Sequence, residues 1–182
     1  IYIPPTANGR GKNWIGNFSE AYRTSKMPIA YQKKILITFG GEDPKNLSEK
    51  LLSVMEREGL LKTYNVSVVI GPLFSKENIS RIKNFKVGIW EQPESLDSII
   101  PDFDLVITSY GNTPFEAVSV GVPVVLFNPA RYHRKLGRKA GFPDVGVERP
   151  KIRKLKKLIS EVFDDKRDLK ASLKKKYQKG KF

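Results

Sequence analysis

The stretch 104–129, DLVITSYGNTPFEAVSVGVPVVLFNP, governs how the rest of the chain is read. Leu105, Val106, Ile107 and Thr108 form a short, largely β-branched run, and 123–127 (PVVLF) forms a second. Unbroken apolar runs of this length suit strands covered on both faces of a parallel sheet. Between them, Ser109-Tyr110-Gly111-Asn112 is a turn-forming cluster just past the carboxyl end of the first strand. Thr113-Pro114-Phe115-Glu116 then opens a helix, with proline at its first position, and Gly121 closes it. Open parallel sheets bind ligands outside the carboxyl ends of their strands. A helix start there offers unpaired N–H groups and partial positive charge, which suits a phosphate or diphosphate. Gly111 lets such a group come close to the backbone.

This pattern of strand, S-x-G-N-T, a glutamate on the first helical turn and then G-V-P-V-V resembles the donor-nucleotide half of the GT-B glycosyltransferases. It is most similar to the MurG-like group, the UDP-sugar hydrolase of pseudaminic acid synthesis and the spore-coat polysaccharide protein of the same type. The similarity runs over 34–147. It implies an α/β fold, a Rossmann-like open parallel sheet with helices on both faces, forming one GT-B half-domain over 34–182. By match of motif, Glu116 is the ribose ligand, and Gly111, Asn112 and Thr113, with Tyr110 before them, line the phosphate side.

The resemblance also assigns loops outside the central motif. ILITF is followed by Gly40-Gly41-Glu42-Asp43-Pro44, a glycine-rich loop that in the family faces the cleft near the donor phosphates or the acceptor. Gly71, after the strand predicted at 66–70, falls where a family loop lies near the nucleotide. By position alone, Glu91-Gln92-Pro93 corresponds to the base-reading loop. His133 stands where family members often carry Gln or Asn reaching the donor sugar or phosphates. No cofactor is implied, since a UDP-sugar is the substrate. The implied partner is a missing N-terminal domain that carries the acid/base residue, and 1–33 matches the end of that domain or the linker from it.

Each of these residues also has a plainer reading. Thr113-x-x-Glu116 is a capping box, in which each side chain satisfies a backbone N–H of the other. Asp43-Pro44 makes an ordinary helix start, with Asp as N-cap and Pro next. Gly71-Pro72 is a common turn. Arg131 and Arg134 offer planar forks of donors to a diphosphate, or else form a solvated basic face.

The 182 residues are enough for one α/β domain, and 40% apolar content supports a globular core. There is no cysteine and a single histidine, so neither a disulfide framework nor a thiolate or multi-histidine metal site is available. No apolar run approaches the ~20 residues that span a bilayer. A cytoplasmic location follows as the expectation. Lys and Arg total 33 against 19 Asp and Glu, a net charge of +14 that favours anionic partners. An alternative function is therefore a basic, non-catalytic domain for nucleic acid or an anionic membrane. Nucleic acid is disfavoured, because aromatic residues do not interleave with Lys and Arg in a recognisable RNA-binding motif.

Further helices are expected at 46–58, with Leu47, Leu51, Leu52 and Met55 inward, at 77–84, and at 95–101. A third strand is expected at 85–90 and a short last strand near 141–147. The segment 150–163 is amphipathic, and 168–177 reads as a second basic helix. Such helices are able to approach the inner face of an anionic membrane, at roughly 1 kcal/mol per nearby cation. No P-loop, G-x-G-x-x-G or zinc pattern is present, which counts against NTPase and dehydrogenase readings.

Overall fold

The computed structural model of the protein describes residues 33–163. Residues 1–32 of the segment expected to be a linker at 1–33, and the second basic helix expected at 168–177, lie outside the described residues. In chain order the elements begin with strand β1 (Lys34–Thr38), helices α1 (Leu47–Arg57) and α2 (Leu60–Thr63), strand β2 (Asn65–Ile70), helix α3 (Lys76–Lys83) and strand β3 (Gly88–Glu91). They continue with β4 (Leu105–Thr108), α4 (Thr113–Ser119), β5 (Val124–Asn128), α5 (Arg131–Lys139), β6 (Asp144–Val147), β7 (Arg149–Pro150) and α6 (Ile152–Phe163).

The strands form one sheet in the order β3-β2-β1-β4-β5-β6-β7. The first six are parallel, and the two-residue β7 runs antiparallel at the edge. Side chains alternate between faces. Ile35 and Ile37 join one apolar cluster while Leu36 joins the other, so a strand covered on both sides reads as an unbroken apolar run. Residues of α1, α3 and α6 pack on the first face, and those of α4 on the second, which is the doubly wound α/β fold that the sequence implied. The α6 stripe contributes Leu155, Leu158 and Ile159, each worth about 2 kcal/mol of burial.

Three expectations are corrected. The strand predicted at 85–90 begins only at Gly88, because Phe85 and Val87 are taken up by tight turns, with Phe85 N–H donating to the Ile82 carbonyl and Val87 N–H to that of Phe85. The predicted helix at 95–101 is instead a turn leading into a 3₁₀ helix, Ile100–Asp102. Pro101 has no N–H to continue an α-helical ladder, yet Ile99 and Ile100 still bury against the sheet. Pro44 does not open α1. Asp43 takes a positive φ of 47°, and the helix starts at Leu47 after an added turn.

Candidate functional site

The chain builds outward from β1 to β2 and β3, then returns to place β4 on the other side of β1. This reversal is the topological switch point of an open sheet, where the loops on either side diverge and leave a crevice. Thr38 and Thr108 are register partners at the carboxyl ends of β1 and β4. Adjacent strands lie about 4.8 Å apart. The Gly40-Gly41 loop therefore begins beside the Ser109–Thr113 turn, and two of the sequence-predicted groups are brought together.

On the β1 side, Gly40 is exposed, with φ of +82°, a conformation that disfavours any residue with a Cβ. Glu42 is exposed, but Asp43 turns away from the crevice and is only 2% exposed. Its carboxylate accepts from Leu47 N–H at 2.7 Å and Ser48 N–H at 2.9 Å, capping α1 from four residues upstream. Burial pushes the Asp43 carboxyl up, and these two N–H groups only partly offset it. Gly71 is buried beneath this loop. A Cβ there would lie 2.5 Å from both the Gly40 and Gly41 carbonyl oxygens, and Leu73 N–H donates to the Gly41 carbonyl at 2.8 Å. Gly71 acts by packing, holding the glycine loop in place.

On the β4 side the geometry is open. A Cβ on the exposed Gly111 would meet nothing within 4 Å. The N–H groups of Gly111, Asn112 and Thr113 have no partner among the described residues. The turn is held from behind by Asn128 at the end of β5. Asn128 is 0% exposed, and its Oδ1 accepts from Tyr110 N–H at 2.9 Å. Sequence reasoning passed over Asn128. The available signal was a polar residue closing an otherwise apolar strand, VVLFN.

The capping box does not form. Thr113 is the first residue of α4, not its N-cap; Asn112 occupies that place in a helical conformation, with no side-chain cap. Proline thus falls at the second helical position. Glu116 is half-buried; its carboxylate accepts from the Thr113 hydroxyl and caps no backbone N–H among the described residues. Burial raises its pKa above the ordinary 4.5, the nearby Asp97 carboxylate raises it further, and the Thr113 hydroxyl opposes both.

Helix α5 starts at the same end of the sheet as the turn, and it sits close to β5 because Gly137 faces Leu126. Arg131 is exposed and has no acidic partner among the described residues. His133 is half-buried, packs edge-on against Tyr132 at 5.8 Å, and its Nδ1 is buried without a partner among the described residues. Arg134 is partly committed within the protein: its Nε donates to Asp144 Oδ1 at 2.7 Å. Arg138 and Lys154 reach the other oxygen at 2.9 and 3.6 Å. Burial alone would raise the Asp144 carboxyl, but these three cations outweigh it and hold the pKa below the ordinary 3.8. Asp144 was also missed; its signal was a lone acid between two basic segments. The base-reading loop assigned by position follows β3 as expected, with Gln92 at a positive φ of 44°.

No family model matches the chain. An uncharacterised protein of Methanocaldococcus jannaschii is 37% identical over 132 residues, covering 66% of this chain and 26% of that protein. The spore coat polysaccharide biosynthesis protein SpsG of Bacillus subtilis is 25% identical over 118 residues, 63% of this chain and 34% of its own length. The chain thus spans about a quarter to a third of these curated relatives. Its structural neighbours include glycosyltransferases and UDP-GlcNAc 2-epimerases. Among them, the UDP-GlcNAc 2-epimerase of Neisseria meningitidis, solved with UDP-GlcNAc bound, superposes with a TM-score of 0.57 at 18% identity, over 82% of this chain and 41% of that one. The fold is the one that the sequence resemblance implied. No helix among the described residues is long and apolar enough to cross a membrane.

Proposed function

We propose that this chain is the donor-binding half of an enzyme acting on nucleotide sugars, with a UDP-sugar held at the β1/β4 switch point. The observation that carries this reading is the open Tyr110–Thr113 turn, where the N–H groups of Gly111, Asn112 and Thr113, unpartnered among the described residues, stand one helical turn from a carboxylate that no cap consumes. The turn donors receive the diphosphate, and Glu116 accepts from the ribose hydroxyls. Gly40 and Gly41 border the crevice from β1, and Gly71 fixes their position. Arg131 and His133 approach from α5, toward the phosphates and the sugar. Donors already aimed at the diphosphate stabilise the charge that develops on the leaving nucleotide as the C1–O bond breaks. The group that activates the acceptor or water belongs to a second domain, so this chain binds without turnover. The similarity to a spore coat polysaccharide biosynthesis protein supports a role in building cell-surface polysaccharide.

Calorimetric titration of the chain with UDP, CDP and GDP at moderate salt tests the proposal. Saturable binding selective for UDP, weakened in Glu116→Gln, is expected. Equal, weak and steeply salt-dependent binding of all three would instead identify bulk electrostatics as the source of affinity.

A further inference from the structure

The two basic helices of this domain treat their charge differently. On α6, Lys154 pairs with Asp144, Lys156 with Glu58 at 2.6 Å, and Lys157 with Glu161. Helix α5 carries Arg131, Arg134, Lys135, Arg138 and Lys139 and no acid. Its two half-committed arginines, Arg134 and Arg138, share the buried Asp144. Arg131, Lys135 and Lys139 are all exposed and pair with no acid among the described residues. They recur at every fourth position, so they form one stripe on the helix, about 12 Å long at 1.5 Å per residue. Tyr132, 66% exposed, lies along the same face. The stripe starts at Arg131, beside the crevice, and leads away from it.

We propose that this stripe is a track for a linear anionic sugar polymer, an acceptor carrying repeated carboxylate or phosphate groups, whose end lies at the switch-point site. The inference rests on the donor-binding reading given above. Three features fit a chain better than a membrane or nucleic acid. The charges run in a line along one helix, not across a plane. The line ends at the proposed sugar donor. Tyr132 is the single aromatic on it, which suits stacking on one sugar ring and falls short of an array for successive bases.

The test uses three probes on the full chain: a polygalacturonate oligomer, a single-stranded oligonucleotide of similar charge, and phosphatidylglycerol vesicles. Binding is measured for the native chain, for Lys135→Glu/Lys139→Glu, and for Lys151→Glu/Arg153→Glu, which makes the same charge change with exposed residues at the start of α6 that pair with no acid among the described residues. The α5 pair should weaken polygalacturonate binding about tenfold and the α6 pair no more than about twofold, with UDP affinity unchanged in both. An equal loss in the two double variants would overturn the proposal, because only net charge would matter. It would also fall if the α5 pair affected the oligonucleotide or the vesicles alone. Selective polymer loss without any UDP binding would leave this surface standing and remove the donor reading; UDP binding with equal polymer losses would do the reverse.

Discussion

Gly71 and Gly111 occupy similar places, each in the loop that follows the carboxyl end of a buried parallel strand, yet the structure uses them in opposite ways. The first has backbone pressed against the space where a side chain would be, and the second has nothing there. Gly71 is thus part of a closed scaffold beneath the glycine loop, and Gly111 part of an open receptor. A glycine marks a close approach of backbone, but its position in the chain does not say whether protein or ligand is what approaches.

Gly71→Ala should have the largest effect. Its Cβ would fall 2.5 Å from two carbonyl oxygens that cannot rotate away, so the glycine loop must shift at a cost of about 3 kcal/mol. Denaturant unfolding would register this as a lower midpoint with an unchanged slope. A midpoint equal to that of the native chain would mean that the two loops are not rigidly braced.

Asp144→Asn should cost about 2 kcal/mol at neutral pH, since charge-assisted bonds from Arg134 and Arg138 to a buried acceptor are weakened. Because the folded carboxyl titrates below 3.8, its contribution is complete above about pH 5 and fades as pH falls through 3.8 toward the lower folded value. Asp43 has the opposite sign. Its raised pKa favours the folded state most at low pH, and that part is lost as pH rises through the folded value. Asn at 144 should therefore flatten the acid limb of the stability curve, and an unchanged limb would assign acid sensitivity elsewhere.

The doubly wound sheet was legible because each central strand is buried on both faces and carries its own apolar run. The central motif was legible because turn, glycine and glutamate follow one strand in order. What stayed hidden depended on contacts distant in sequence. The choice between a capping box and a free Glu116 turned on whether Thr113 or Asn112 became the N-cap, a matter of one residue's backbone. Arg131 and Arg134 look interchangeable in the chain, yet only Arg134 reaches Asp144, ten residues away. Asn128 bonds to Tyr110 across 18 residues, and no local pattern announces that.

Glu116→Gln sharpens the open side of the comparison. Stability should hold, because no cap depends on the carboxylate, while UDP affinity falls about tenfold, the size of one charge-assisted hydrogen bond. In the native chain, affinity should rise with pH through a window above 4.5, as the Glu116 carboxylate forms, over and above the titration of UDP itself. The variant should lack that rise. Asp97→Asn should move the window toward 4.5 by removing the neighbouring negative charge. The same pH profile in all three proteins would exclude Glu116 as the ribose acceptor.

Gly111→Ala should have the smallest effect, and it separates the two kinds of glycine most cleanly. Its φ lies outside the left-handed range and its Cβ would point into open space, so the fold has no reason to resist alanine. Reduced freedom of the unfolded chain should even stabilise it by about 0.5 kcal/mol. A methyl group on the turn would nonetheless stand where a diphosphate must reach three backbone N–H groups. UDP affinity should drop roughly fivefold, about 1 kcal/mol, beside an unfolding midpoint that is level or raised. If affinity and midpoint both hold, the phosphates do not sit on this turn, and the donor site must be sought around Gly40 and Gly41 instead.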